Sequence, residues 1–517
     1  MTDKKHKGFI VLERIPKAPA YIFSLADAAF VNDTFRDVFA FENVPGSHLN
    51  IYEGTDFLFC YKIQDLRKTC EEIFDKLVTN PKWGLELDDM IVEKAQLFME
   101  YSKKIAQTDL STLSNKELSD ISNEWFFTHF HDSWTLGWPA VLVDFERNLF
   151  SNHLLNYLKQ KIEKKKYEVS VGDVFSALTT PVEETFAQLE NMSLLRLLET
   201  IYTDKDVVAL FKDKDVDQIQ KELPDLNSDI WKDFMAHYES YCWLPFMYTG
   251  PAWGHDYFLE SLKHLIKQNT DPQKELQILE DRKKQVEELH DKYLKDLEIH
   301  DDFQVLFEVA RRFVYSKSYR KDAMYYGCYI VDSVLKEIAK RAYVSIDQVR
   351  RLYPWEIEDF CMEKGPDVDT LNSRAYAVQY SDDGVREMYD GGGAKTFVDS
   401  VEFVEQKNEI PREILGDCAS VGKVRGTVRI VNSREDMDKM EKGNILVSYA
   451  TSPDIMPAIK KASAIVTDLG GIICHAAIVS REFHIPCVVG TKIATQVLKD
   501  EDIIEVDATH GIIRIIK

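Results

Sequence analysis

The sequence predicts a multidomain protein with a mostly α-helical N-terminal region and a small C-terminal α/β domain. The chain has 517 residues, about three times a usual domain length. Up to about residue 400, apolar residues recur three and four positions apart, as in amphipathic helices. After Pro411, short β-branched runs alternate with short helical patterns, as in a compact α/β domain. We therefore expect a helical region over residues 1–400 and an α/β domain over residues 401–517.

The N-terminal region contains the longest helical patterns. These are 61–77, 90–105, 154–165, 193–203, 256–267, 271–300 and 303–342. The pattern over 271–300 combines a sparse apolar stripe with many charges, which predicts a long helix with a solvated face. A division of the region into two subdomains is placed at residues 265–300. The segment SDDGVREMYDGGGAK, residues 381–395, is polar and rich in glycine, and it predicts a loop or linker, with the hinge between it and Pro411.

The C-terminal region alternates strand and helix patterns. Strands are expected at 424–431, 445–447, 464–467, 486–489, 503–506 and 512–516, and helices at 454–461, 475–483 and 493–498. The last two strands are expected to form a hairpin across residues 507–511.

Composition excludes several classes of partner. The formal charge of −23 argues against a nucleic-acid or anionic-membrane surface, because such partners are met by clustered Lys and Arg. The first residues lack the apolar run of a signal peptide, and no stretch approaches the length of a membrane span. We therefore expect a cytoplasmic protein. The eight cysteines show no Cys-x-x-Cys pair and no His-Cys cluster, so no metal site is predicted.

The segment around His475 is the best candidate for chemistry. A predicted strand, 464–467, runs into Asp468-Leu469-Gly470-Gly471, and a helix is expected to begin at about Cys474 or His475. Free backbone N–H groups and the positive end of the helix dipole would face the same point, which favours an anion. A neutral imidazole there is a nucleophile. On position alone, a helix cap or a surface histidine is the alternative.

The residues around His475 extend this interpretation. The strings TDLGG (467–471), CHAAIV (474–479) and IPCVVG (485–490) resemble, at fixed spacing, the swivelling phosphohistidine domain of phosphoenolpyruvate synthases, pyruvate phosphate dikinases and rifampicin phosphotransferases. The resemblance spans about residues 416–517 and implies that His475 carries a phosphoryl group. Ile473 stands where the dikinases usually have a threonine that is regulatory in some of them, so that form of regulation is excluded. The predicted phosphate-binding residues are Thr467, Asp468, Gly470, Gly471, Cys474 and Arg481. Two alternatives stay open: Asp468 orients the imidazole or caps the turn, and Arg481 pairs with a phosphate or with Glu482.

The resemblance also implies a donor and an acceptor. In the related enzymes the donor is ATP on an ATP-grasp domain, for which the helical region offers no phosphate loop. We therefore expect no cofactor on this chain, and ATP with Mg²⁺ on a separate ATP-grasp protein. Because the chain ends at Lys517, no acceptor barrel is expected after the histidine domain.

Residues 344–360 resemble the helical substrate domain of rifampicin phosphotransferase-like proteins, which implies a pocket for a small-molecule acceptor. The predicted substrate-binding residues are Trp134, Trp253, His255 and Arg320. Aromatic residues of this kind also build helical cores, and Arg320 belongs to a basic cluster that could be a solvated helix face.

The resulting hypothesis is a phosphotransferase subunit, in which His475 passes a phosphoryl group from the partner to the small-molecule acceptor. The alternatives are a phosphocarrier or regulatory binding protein and a relative without transfer activity. A cleft in the helical region favours the first, and a solid helical core favours the second.

Overall fold

The computed structural model describes residues 6–15, 18–22, 34–54, 56–145, 147–169, 171–382, 385–404, 413–432, 434–451, 455–468, 476, 479–480, 483, 485–491 and 493–516. The chain divides into two compact units. The first comprises Met1–Phe186, Ser240–Trp253 and Lys274–Glu405, and the second Ala187–Glu239, Gly254–Gln273 and Gln406–Lys517.

Helices account for most of the region before residue 400, as predicted. Numbered along the chain, they are α1 (Ile63–Thr79), α2 (Pro81–Ala106), α3 (Asn115–Glu124), α4 (His131–Leu136), α5 (Trp138–Leu142), α6 (Leu149–Lys165), α7 (Val171–Thr179), α8 (Phe186–Tyr202), α9 (Lys205–Asp213), α10 (Val216–Leu226), α11 (Ser228–Tyr241), α12 (His255–Lys267), α13 (Pro272–Asp296), α14 (Asp301–Ala342), α15 (Ile346–Val349), α16 (Ile357–Cys361), α17 (Val368–Ser373), α18 (Gly391–Asp399), α19 (Met456–Ile459) and α20 (Ala494–Val497). None of the helices in the described ranges has both the length and the apolarity to cross a membrane.

Strands occur at both ends of the chain. They are β1 (His6–Ile15), β2 (Ser47–Glu53), β3 (Asp56–Lys62), β4 (Tyr376–Asp382), β5 (Val385–Asp390), β6 (Val401–Phe403), β7 (Glu413–Leu415), β8 (Asp417–Ser420), β9 (Lys423–Ile430), β10 (Ile445–Ser448), β11 (Ala464–Thr467), β12 (Cys487–Val489), β13 (Ile503–Asp507) and β14 (Ile512–Ile515). They form one six-stranded sheet and one eight-stranded sheet.

The first unit is organised around the long helix α14 and its neighbour α2. Cβ atoms built at Gly84 of α2 and Gly327 of α14 would lie within 3 Å of Val309 and Phe98 side-chain atoms, respectively. Only glycine permits this close approach. The two helices run parallel, because the contact positions on both rise together along the chain.

The six-stranded sheet completes the first unit. Its strand order is β5-β4-β2-β3-β1-β6, and all neighbours are antiparallel except β1 and β6. One face carries Phe57 and Phe59 into the main helical core. The other face carries Leu49 and Val378 into a smaller core that α18 covers with Phe397.

This sheet corrects the predicted linker. Residues 381–395 were expected to form a loop, but they contain the end of β4, all of β5 and the first turns of α18. The strand Val401–Phe403 also pairs with β1, so residues 401–403 belong to the sheet of the first unit. Residues 405–412, where the expected hinge continues, lie outside the described residues.

The second unit contains nearly all of helices α8 to α12, the short helices α19 and α20, and the eight-stranded sheet. The sheet order is β7-β14-β13-β9-β10-β11-β12-β8, with β9 to β12 parallel and the outer pairs antiparallel. Strands β10 and β11 are buried along their whole length. Central parallel strands covered on both faces are usually continuous apolar runs, as found here. Leu446 and Ile465 point into one core, and Ile445 and Val466 into the core on the opposite face.

Candidate functional site

The carboxyl ends of the parallel strands bring four polar segments to one edge of the eight-stranded sheet. Ser448 ends β10 and lies in register with Thr467, which ends β11. Asn432 lies two residues past β9, and Thr491 lies two residues past β12. In open α/β sheets, ligands bind at this edge, because strand ends and helix starts meet there. The segment with the predicted phosphate-binding residues follows β11 directly and therefore starts at this edge.

Asp468 is buried at this edge, with 1% of its surface exposed. Its Oδ1 atom accepts a hydrogen bond from the Thr491 hydroxyl at 2.9 Å, and both carboxylate oxygens lie within 3.3 Å of the Thr495 backbone nitrogen. The Thr495 hydroxyl donates to Oδ2. Asp468 thus holds the start of α20. The sequence analysis expected Asp468 to orient the imidazole or to cap the turn after β11, and it did not anticipate this contact.

The backbone on either side of Asp468 is also fixed. The Asp468 N–H donates to the Ser448 carbonyl at 3.1 Å, and the Thr491 N–H donates to the Thr467 carbonyl at 3.0 Å. The ends of β10, β11 and β12 are therefore joined beyond the last residues of their strands. The segment that follows Asp468 therefore begins at a backbone position that is fixed by hydrogen bonds.

A second polar network fixes the segment after β10. Asn432 Oδ1 accepts from the Tyr449 N–H at 2.7 Å and lies 3.2 Å from Ser448 Oγ. The Ser448 hydroxyl also lies 2.8 Å from the Ala450 carbonyl. Sequence reasoning missed Asn432, Ser448 and Thr491. The available signal was a polar residue at or just after the end of each buried strand.

The helix expected over residues 475–483 is seen at three described positions. Ala476, Val479 and Ser480 have helical backbone and are buried. Ala476 and Val479 belong to the same core as Leu446 and Cys487, so this segment packs on one face of the sheet. Of the predicted site residues, His475, Gly470, Gly471, Cys474 and Arg481 lie outside the described residues, and Thr467 and Asp468 lie at the edge.

The structure brings two of the four predicted substrate residues together. Arg320 is 8% exposed and Trp134 3% exposed. Arg320 Nη1 donates to the Trp134 carbonyl at 2.8 Å, and its guanidinium carbon lies 6.0 Å from the Trp134 ring centre. The prediction that Arg320 lies on a solvated helix face is therefore wrong, because Arg320 is buried between helices of the first unit.

The other two predicted substrate residues lie elsewhere. Trp253 belongs to the first unit, where its N–H donates to the Cys242 carbonyl at 2.8 Å. His255 begins α12 in the second unit, and its ring lies edge-on to Tyr238 at 4.2 Å. Across the described residues, no group of three or more His, Cys, Asp or Glu side chains is arranged to hold a metal ion.

Comparison with known proteins identifies the domain that carries this edge. Residues 440–511 match the family model described as PEP-utilising enzyme, mobile domain. These residues include β10 to β13 and the whole segment between Thr467 and Cys487. The α/β domain with its polar strand-end edge is thus similar, over residues 440–511, to the mobile domain of the PEP-utilising enzymes.

Two curated relatives agree with this assignment. The chain is 48% identical over 114 residues to the "Probable phosphoenolpyruvate synthase" of Methanothermobacter thermautotrophicus, which covers 22% of this chain and 17% of that protein. It is 46% identical over 114 residues to the phosphoenolpyruvate synthase of Pyrococcus furiosus, which covers 22% of this chain and 14% of that protein. The chain thus spans about a sixth of the length of the relatives that it matches.

Among solved structures, aconitase X of Thermococcus kodakaraensis matches 20% of this chain and 98% of its own, at 22% identity and a TM-score of 0.17. With so low a score, this match carries no argument about the fold.

Proposed function

We propose that the protein is a phosphotransferase subunit in which His475 carries a phosphoryl group from a separate ATP-grasp protein to a small-molecule acceptor. The observation that carries the proposal is the mobile-domain match over residues 440–511, which includes His475 and its neighbours. The fixed strand ends at Thr467 and Asp468 and the packed Ala476 support it. Asp468 precedes the seven-residue segment that contains His475, and Ala476 follows it, and both of these flanking residues are packed in the domain.

The chemistry requires two displacements at phosphorus. In the first, an imidazole nitrogen of His475 attacks the donor phosphorus, a P–N bond forms and the P–O bond to the donor breaks. In the second, an acceptor hydroxyl attacks the same phosphorus, an O–P bond forms and the P–N bond breaks. The released imidazole nitrogen takes up the proton that the hydroxyl loses. Such transfers depend on positioning and on charge stabilisation around the phosphoryl oxygens.

We propose a second protein as the source of the donor; the similarity to the probable phosphoenolpyruvate synthase covers 22% of this chain. ATP and Mg²⁺ are therefore assigned to an ATP-grasp partner, and the acceptor to this chain's helical region, in which Trp134 and Arg320 are the named candidates. A protein of this type would work in the cytoplasm, where ATP is available.

The test is phosphorylation of the full chain with ATP, Mg²⁺ and an ATP-grasp protein from the same genome, read by intact mass and peptide mapping. We expect one acid-labile, base-stable phosphoryl group on His475, and none when the partner is omitted. His475→Ala should remove the label, while His484→Ala, a histidine in the same segment, should keep it. Labelling from ATP alone would refute the two-protein arrangement, and unchanged labelling of His475→Ala would refute the carrier assignment.

A further inference from the structure

The first unit has an open groove of about 860 Å³ beside the edge of the six-stranded sheet. We call it the aromatic groove. Its walls are rings from β1, β4, β5 and α18, and its polar groups include two carboxylates from the β4–β5 pair and the hydroxyls of Thr396 and Ser400. The residues used below are His6, Tyr380, Tyr389, Phe397, Asp382 and Glu387. This volume lies within the range of small-molecule sites, about 300–1,000 Å³.

The rings of the groove are held in place by one another and by the core. Phe397 is stacked with His6 at 4.9 Å between ring centres and with Tyr389 at 4.9 Å. Tyr380 meets the His6 ring edge-on at 4.7 Å. Tyr380 and Phe397 also belong to the core under α18. A ligand would therefore meet a preformed aromatic wall and would lose little free energy in ordering it.

The charge of the groove favours a cation. Among the described residues, those that line the groove include the carboxylates Asp382 and Glu387 and neither Lys nor Arg. Lys62 Nζ lies 3.8 Å from Asp382 Oδ1, and the Ser47 hydroxyl also contacts that oxygen. The described hydrogen bond of Glu387 comes from the Tyr389 hydroxyl at 2.5 Å. Glu387 thus adds a negative charge beside aromatic faces, which themselves attract cations.

The glycines at the start of α18 leave room for such a ligand. A Cβ atom built at Gly392 or Gly393 would meet no atom within 4 Å. Only Gly393 is among the lining residues of the groove. A large side chain at Gly393 would therefore fill the groove, and the same side chain at Gly392 would not.

We propose that the aromatic groove binds a small organic cation, an ammonium group on an apolar or aromatic body. The body lies against Phe397 and its ring neighbours, and the ammonium group lies toward Glu387 and Asp382. This site is separate from the phosphoryl transfer proposed above and does not depend on it.

The probe is phenethylammonium, and its neutral counterpart of the same shape is 2-phenylethanol. Saturation-transfer NMR and calorimetry with the full chain should show saturable binding of the cation, about two- to fivefold tighter than binding of the alcohol, since an exposed cation–aromatic or ion-pair contact has about that effect. The preference should shrink as salt is added, because exposed charges are screened.

Four variants test the position of the site. Glu387→Gln should lower the affinity for the cation toward that of the alcohol, while Asp399→Asn, an exposed carboxylate of α18 outside the groove, should leave it unchanged. Gly393→Leu should abolish binding, while Gly392→Leu should retain it. Circular dichroism checks folding, and Glu387→Gln carries the test if a leucine variant fails to fold.

Three results would overturn the proposal: no saturable binding of the cation, equal affinity for cation and alcohol, or full binding by Gly393→Leu. His475→Ala should bind the probe like the unmodified protein. The outcome here is therefore independent of the outcome of the phosphorylation experiment.

Discussion

Replacing Asp468 with Ala should destabilise the C-terminal α/β domain far more than a comparable surface change. The substitution removes the acceptor of the Thr495 N–H and of two threonine hydroxyls from a buried position. A hydrogen bond to a charged group contributes about 1.5–3 kcal/mol, and a buried donor left without a partner costs about 1–3 kcal/mol. Because the Thr491 hydroxyl also lies 3.1 Å from the Thr467 carbonyl, it keeps an acceptor. The expected loss is therefore about 3 kcal/mol.

The matched control is Asp502→Ala. Asp502 lies in the same domain, and its carboxylate accepts one backbone N–H, that of Lys499, at 2.8 Å in an exposed position. Its removal should cost about 0.5–1 kcal/mol.

Hydrogen exchange read by mass spectrometry reports on this domain alone, through the amides of β10 and β11. A loss of about 3 kcal/mol corresponds to roughly 100-fold faster exchange through the open state. If Asp468→Ala accelerates exchange no more than Asp502→Ala, Asp468 does not hold the start of α20 as argued. Asp468→Asn, which retains one acceptor oxygen, tests whether Asp468 holds the start of α20 or orients the His475 imidazole. A loss of His475 labelling in a variant with unchanged exchange would instead favour orientation of the imidazole.

Three further outcomes are expected in the first unit. Burial raises the pKa of the Asp88 carboxyl to about 6 in the folded protein, whereas the same carboxyl in the unfolded chain has a pKa of about 4. The folded protein therefore holds the carboxyl proton more tightly than the unfolded chain does. The free energy of unfolding should therefore fall by up to about 3 kcal/mol as the pH rises from about 4 to about 6, and urea titrations of Asp88→Asn should lack this fall. Arg374→Ala breaks the pair between the buried Arg374 and the half-buried Glu356, at 2.6 and 2.8 Å, and should cost about 3 kcal/mol in urea unfolding. The double variant Arg374→Met, Glu356→Leu should recover part of this loss, and a single variant as stable as the parent would contradict the prediction. Gly327→Ala places a methyl group against the Phe98 ring and should lower the thermal midpoint by the equivalent of about 1–3 kcal/mol, and an unchanged midpoint would show that α2 and α14 can separate freely.

The C-terminal strands could be predicted from sequence because their burial follows a simple rule. Strands covered on both faces are apolar runs bounded by polar turns, so the expected 464–467 coincides with β11, and the expected 445–447 falls one residue short of β10. Strands β7 and β8 were missed. They have three and four residues without an apolar pattern, and they are ordered by pairing with β14 and β12.

The six-stranded sheet could not be predicted, because some of its buried residues are polar and its strands therefore lack the usual alternation of apolar and polar residues. In β2 the polar residues His48 and Asn50 are both fully buried, so alternation does not mark an inner and an outer face. The partners of β2 are also far apart in sequence, with β3 directly after it and β4 more than 300 residues later. At the candidate site, Thr467 and Asp468 were among the predicted residues, whereas Thr491 and Thr495 were not. They reach Asp468 only because β12 pairs beside β11.

The order of strands in the first sheet also governs how the protein can be synthesised. Strand β2 pairs with β4, and Ser47 and Asp382 are 335 positions apart. At about 5–20 residues per second, a ribosome needs about 20 to 70 s to pass from one to the other. During that time the β2 edge, with its row of free N–H and C=O groups, has no partner from its own chain. An unpaired edge of this kind is a template for aggregation, so the nascent N-terminal strands would be expected to need a chaperone until residue 382 leaves the exit tunnel.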